Sequence, residues 1–189
     1  NGSVAEGAPA VGNTKIITEH DDLFTLANTY TYLGGQTVQT GVTSTAPVKR
    51  TLQDRLDELV SVKAFGAKGD GTDQTVAIQR AIDQLYINSS TKGTEQSRAQ
   101  LYFPAGVYKI TSTIFVPPFA SIVGAGKDKT KFDVTNNVIV FQTVNESSTP
   151  GTPADDSSST TLNQARQIVM KDFTVATTQT TQPVFKLQS

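Results

Sequence analysis

One feature limits what this chain can fold into more than any other: two stretches of equal length share one layout. Residues 121–141 read SIVGAGKDKTKFDVTNNVIVF and residues 167–187 read QIVMKDFTVATTQTTQPVFKL. Each gives an apolar run, a polar corner, a second short run, another corner and a third run. A unit of that shape cannot bury its apolar faces alone, whereas stacked copies share one continuous core. Upstream, LYF, VYKI and IFV continue the series, interrupted at Pro104-Ala105-Gly106 and Pro117-Pro118. No Asn-Gly or Asp-Gly turn joins the runs after Leu101, so tight antiparallel hairpins are poorly supported. The expected class is mainly β, as a parallel β-solenoid rather than a sandwich.

A solenoid exposes an apolar end that needs a cap. In the stretch 61–87, SVKAFGAKGDGTDQTVAIQRAIDQLYI, a short strand over Val62–Phe65 is expected, then a turn at Gly66, Gly69 and Gly71. A helix follows, with Thr72 or Asp73 as its cap. Ile78, Ala81, Ile82 and Leu85 fall at i, i+3, i+4 and i+7, forming one apolar stripe, with Gln79, Arg80, Asp83 and Gln84 elsewhere on the wheel. This helix is the natural lid on the first rung. Residues 88–100 read as a polar loop. Residues 146–163 read as a long Ser/Thr/Pro-rich surface loop.

The first fifty residues differ. Residues 1–15 are small and polar and read as an arm, and 16–50 as a small β-rich module. In 51–60, TLQDRLDELV, a short helix is expected, with Val48, Leu52, Leu56 and Leu59 on one face and Thr51 at its cap. So narrow a face must pack on its own chain or on copies of itself, as a neck would. The expected division is therefore 1–50 module, 51–60 neck helix, 61–189 cap and first rungs. The chain begins at Asn1 without Met, which reads as part of a longer protein.

Composition narrows function by exclusion. Sixteen basic and seventeen acidic residues leave no Lys/Arg surplus for nucleic acid. Zero cysteines and one histidine, His20, leave little for a thiolate or imidazole metal site or a His-based triad. No apolar run approaches membrane-spanning length, so no membrane insertion is expected. About one residue in seven is Thr, which suits half-exposed pleated surfaces.

Individual residues narrow it further. Gly66-Ala67-Lys68-Gly69-Asp70-Gly71 lacks the spacing of a phosphate loop, and Gly124-Ala125-Gly126 precedes no helix, so both read as corners. Glycosidase chemistry uses paired carboxylates. The pairs Asp70/Asp73, Asp128/Asp133 and Asp155/Asp156 read instead as turn, cap or surface charge, and His20 as an exposed polar residue. Tyr102, Phe103, Phe115, Phe119, Phe132, Phe141, Phe173 and Phe185 read mainly as core. Tyr108 is the aromatic of this set expected to reach solvent, with sugar contact there the minority reading. No catalytic, cofactor-binding or metal-ligating residue is assigned.

VKAFGAKGDGTDQTVAIQRAID followed by LYFPAGVYKITSTIFVPPFASIVGAGKDKTKF resembles the opening of pectate-lyase-like right-handed β-helix proteins. It is most similar to their phage tailspike members, over about residues 59–132. RTLQDRLDEL is similar to the connector that precedes the tailspike β-helix. The match departs from the pattern at Asp73-Gln74, where two adjacent Asp are usual. The resemblance implies a homotrimer in a phage virion. Residues 1–50 would grip a tail or baseplate protein, and a downstream region would recognise a host surface polysaccharide. A lyase or glycosidase with its active site beyond Ser189 is the alternative, and a bacterial secreted carbohydrate-binding β-helix a third. Absence of Cys fits assembly in a reducing cytoplasm.

Overall fold

The computed structural model describes residues 30–31, 49–87, 90–146 and 164–187. The chain divides into two units, residues 1–57 and 58–189.

In the first unit, β1 (Tyr30–Thr31) pairs antiparallel with β2 (Lys49–Arg50). Helix α1 spans only Leu52–Leu56. The expected neck helix over 51–60 is therefore cut to little more than a turn. Leu52 and Leu56 are exposed. Val48 and most of residues 1–50 lie outside the described residues.

The second unit starts with β3 (Leu59–Ser61), the stretch expected to end the neck helix. The strand expected over Val62–Phe65 is a 3₁₀ turn instead. Ser61 Oγ accepts from Lys63 N at 3.3 Å, and Gly66 closes the turn in the left-handed region at φ 99°. This local cap draws the chain out of extended geometry, so the strand lies earlier. After it come β4 (Asp70–Asp73) and helix α2 (Thr75–Tyr86). Three rungs follow. They are β5 (Gln100–Phe103), β6 (Gly106–Ile110) and β7 (Ile114–Val116); then β8 (Ser121–Gly124), β9 (Thr130–Val134) and β10 (Phe141–Thr143); then β11 (Val169–Lys171), β12 (Thr174–Thr177) and β13 (Phe185–Lys186).

Each rung visits three parallel sheets, ordered β3-β5-β8-β11, β4-β6-β9-β12 and β7-β10-β13. The two similar sequence stretches lie on one another. Ile122 faces Met170, Phe132 faces Val175, and Phe141 faces Phe185. The register departs from the simple sequence overlay by two residues at β8/β11, three at β9/β12 and two at β10/β13, and the corners between the strands absorb the differences. The fold is a parallel β-helix.

Inside the coil, Leu101, Phe103, Tyr108, Ile110, Ile114, Val116, Ile122, Phe132, Val134 and Phe141 are buried. Phe132 sits at the centre. Its ring centroid is 5.1 Å from Phe103, 5.3 Å from Phe141 and 5.0 Å from Phe173, all edge-on. Tyr108 is a correction: it is fully buried, not solvent-facing. Its hydroxyl donates to Pro104 O at 2.9 Å, and burial pushes its pKa up to about 12.

Glycines make room for that ring. A Cβ on Gly69 would lie 3.0 Å from the Tyr108 ring, and Gly69 is itself left-handed at φ 74°. A Cβ on Gly106 would meet Gly69 O at 2.6 Å. The GAKGDG and PAG segments are thus two halves of one close backbone contact. Gly124 is a corner of the same kind, where a Cβ would meet Asp172 O at 2.2 Å.

Candidate functional site

Helix α2 packs against β5 and β7 of the first rung and covers the outer edge of β7. The stripe Ile78, Ala81, Ile82 and Leu85 is buried, as its spacing requires. Hydrogen bonds complete the cover. Gln79 Oε1 accepts from Phe115 N at 2.9 Å, while its Nε2 donates to Phe115 O at 3.2 Å. The neighbouring residues bond the other way, into the stack, with Ile114 N donating to Val140 O and Val144 N to Val116 O. One side-chain amide therefore does for Phe115 what a further strand would do. Thr75 Oγ1 accepts from Thr111 N at 2.9 Å, and Gln74 N donates to Lys109 O. Tyr86, buried at the far end of α2, donates from its hydroxyl to Ala99 O or Ser121 O and accepts from Leu101 N and Ser121 N. Burial pushes the Tyr86 pKa up to about 12.

Asp70 and Asp73, one of the candidate carboxylate pairs, take part in this cap. Asp70 accepts from Thr72 Oγ1 at 2.5 Å, Thr72 N at 3.1 Å and Gln74 Nε2 at 3.1 Å. Asp73 accepts from Thr75 Oγ1 at 2.6 Å, Thr75 N at 3.0 Å and Thr111 Oγ1 at 2.9 Å. The Thr72 hydroxyl in one case and the Thr75 hydroxyl in the other hold these carboxyls below the usual range. Each is a ground-state anion bound into a turn. Asp73 rather than Thr72 starts the helix, from one residue before Gln74 at its N-cap. Gln74, standing where the family pattern has a second Asp, uses its amide to bridge Lys68 N, Asp70 and Thr72. Asp133 sits 3.5 Å from Lys131 as an exposed pair, and Asp128 is exposed on the preceding corner. Asp155, Asp156 and His20 lie outside the described residues.

Beside the cap, Val76, Gln79, Arg80, Asp83, Gln84, Ser112, Thr113 and Phe115 line an open groove of about 450 Å³. Asp83, placed on the polar side of the wheel by spacing, is buried here and accepts from Gln79 Nε2 at 2.9 Å.

A second cluster was not legible in the sequence. Arg98 and Arg166 lie over the ring of Phe119, at 4.6 and 5.1 Å from its centroid. Phe119 is held at φ 63°, and its N–H donates to Arg166 O. Glu146 pairs with Lys92 at 2.6 Å and with Arg98 at 3.5 Å, and Arg166 pairs with Glu95 at 3.4 Å. Burial raises the Glu146 pKa, but the Lys92 hydrogen bond and the charges of Lys92, Arg98 and Arg166 outweigh it, and the net shift is downward. The ion pairs join residues 48 to 71 positions apart, so no local spacing could have shown them. Among the described residues no group of three or more His, Asp or Glu is placed to hold a metal ion. No described helix is long and apolar enough to cross a membrane.

Residues 59–188 match the family described as rhamnogalacturonase A/epimerase, pectate lyase-like. The chain belongs to this family. The pectate-lyase-like region begins at β3 and takes in α2 and all three rungs. Among solved structures, ORF18 of Geobacillus virus E2 is similar at 32% identity and a TM-score of 0.50, over 66% of this chain and 22% of that one. A glucan 1,3-beta-glucosidase of Cochliobolus carbonum is 38% identical over 90 residues, 44% of this chain and 10% of that protein. A probable glucan endo-1,3-beta-glucosidase of Arthroderma benhamiae is 44% identical over 69 residues, 36% of this chain and 7% of that protein. The chain thus spans a tenth or less of these curated relatives.

Proposed function

We propose that this chain is the capped start of a polysaccharide-engaging β-helix in a phage tail appendage of the tailspike kind. In this reading it is a structural part of the virion and works as a homotrimer. Residues 1–50 attach it to a tail or baseplate protein, 51–60 form the neck region, and later rungs meet the host polysaccharide. The similarity to a viral protein over two-thirds of the chain carries this reading. The cap chemistry supports it, because Asp70 and Asp73, the carboxylates that precede the first rung, are bound into a turn and the helix start. The glucanase relatives support a second reading for the protein as a whole. In that reading it is a polysaccharide depolymerase whose catalytic residues lie on other rungs.

Sedimentation equilibrium tests the assembly. A trimer of the 20.2 kDa chain is expected, and a monomer at all concentrations overturns the appendage reading. Incubation with a panel of capsular polysaccharides and β-1,3-glucan tests the chemistry. No depolymerisation is expected from this segment, and new reducing ends would overturn its purely structural role.

A further inference from the structure

The edge of β7 is closed at two points and open between them. Thr75 Oγ1 takes the Thr111 N–H, and Gln79 takes both the N–H and the C=O of Phe115. Thr113 lies between. Backbone groups of successive strand residues point to opposite sides. Ile114 N bonds into the stack and Phe115 N away from it, so the N–H and C=O of Thr113 face the α2 side, as those of Phe115 do. Among the described residues neither group has a protein partner. The groove of about 450 Å³ opens there, with Thr113 in its lining. That volume lies within the range of roughly 300–1,000 Å³ usual for small-ligand sites. Val76 and Phe115 give the groove apolar walls. Val76 is 69% exposed, and Phe115, between the inward-facing Ile114 and Val116, is half-buried on the outer face of the sheet. These features select among occupants. A strand cannot add along β7, because side chains already hold Thr111 and Phe115. A purely apolar ligand would exclude water from Thr113 and leave its donor and acceptor unpaired, which is costly. A sugar ring meets both demands. Each hydroxyl donates and accepts, so two neighbouring hydroxyls can serve the Thr113 N–H and C=O while the C–H face of the ring lies on Phe115 and Val76.

We propose that this groove is a saccharide-binding site, with the ring on Phe115 and a pair of hydroxyls on the Thr113 backbone. Neutral and acidic saccharides share this chemistry. The site lies at the capped end of the coil, apart from the later rungs, and the proposal does not depend on the tail-appendage reading.

The test is a titration of the ¹⁵N-labelled chain followed at the Thr113 amide. Laminaritriose and trigalacturonate form parallel arms at constant ionic strength. Glycerol, with vicinal hydroxyls and no ring, is the control. The Thr113 signal is expected to shift saturably with at least one trisaccharide and not with glycerol. Tighter binding of laminaritriose identifies a neutral saccharide, tighter binding of trigalacturonate an acidic one, and equal binding a site that reads the ring and hydroxyls alone. Phe115→Ala is expected to weaken the better trisaccharide roughly threefold to tenfold. Saturation by neither trisaccharide, an equal response to glycerol, or unchanged affinity in Phe115→Ala overturns the proposal. If Phe115→Ala fails to fold, Val76→Ser, at an exposed position, decides in the same way: weaker binding supports the site and unchanged binding overturns it.

Discussion

Replacing Gln79 by Ala removes the amide that stands in for a missing strand. Phe115 N–H and C=O then lose partners at 2.9 and 3.2 Å, and Asp83 loses a donor at 2.9 Å. Each unsatisfied group costs about 1–3 kcal/mol when water is excluded. Here the groove of about 450 Å³ lies beside Gln79 and Phe115 and admits water, so the lower end applies to each. The expected total is about 2–3 kcal/mol, read from urea unfolding followed by circular dichroism. Gln79→Glu separates geometry from size. A carboxylate can accept from Phe115 N but cannot donate to Phe115 O, and it adds a negative charge next to Asp83. It is expected to destabilise at least as much as Ala at pH 7. Hydrogen exchange at the Phe115 amide gives the local readout, with protection lost in Gln79→Ala. A loss under about 0.5 kcal/mol with Phe115 still protected would refute the idea that this side chain completes the edge.

Three further outcomes follow from the packing and charge. Phe132→Ala, at the centre of the aromatic cluster, should cost about 3–5 kcal/mol in the same assay. Gly106→Ala forces a Cβ to within 2.6 Å of Gly69 O, so the chain should accumulate as insoluble or lower-melting protein, whereas Ala at Gly71, with nothing within 4 Å, meets only its φ of 83° and should cost about 1 kcal/mol. Asp73 and Glu146 have carboxyls lowered by folding from 3.8 and 4.5. The unfolded chain therefore takes up their protons first as pH falls. Their contribution is complete above about pH 5 and lost progressively below about 4.5. Urea midpoints should drop between pH 6 and pH 3.5, and drop less in the Asp73→Asn, Glu146→Gln double variant.

The sequence made the stack legible because its period is written in local apolar runs. Two 21-residue stretches predicted that β11, β12 and β13 would lie on β8, β9 and β10. The α2 stripe was legible for the same reason, since Ile78, Ala81, Ile82 and Leu85 recur at helical spacing. Much of what failed was decided by contacts distant in sequence. Tyr108 lies between Val107 and Lys109 next to a glycine corner and carries a polar hydroxyl, which favoured solvent, but Gly69, 39 positions earlier, opens the space that buries its ring. Leu59 continues the helical spacing of Leu52 and Leu56, yet pairing of β3 with β5 across forty residues takes it into a strand. Asp83 falls on the polar side of the wheel and is buried because Gln79 bends over it. The Phe119 corner draws on three loops of dull composition, and only the coil brings them together.

The central claim is a parallel β-helix in the stated register, and the chain's lack of cysteine allows a direct measurement. Lys131 and Thr174 are register partners on neighbouring strands β9 and β12. A Lys131→Cys, Thr174→Cys variant should form a disulfide under mild oxidation, because paired Cα atoms of adjacent strands fall within bridging distance. A Lys131→Cys, Val175→Cys variant, slipped by one residue so that its second cysteine points inward, should not. Efficient cross-linking of the slipped pair, or of neither, would contradict the account.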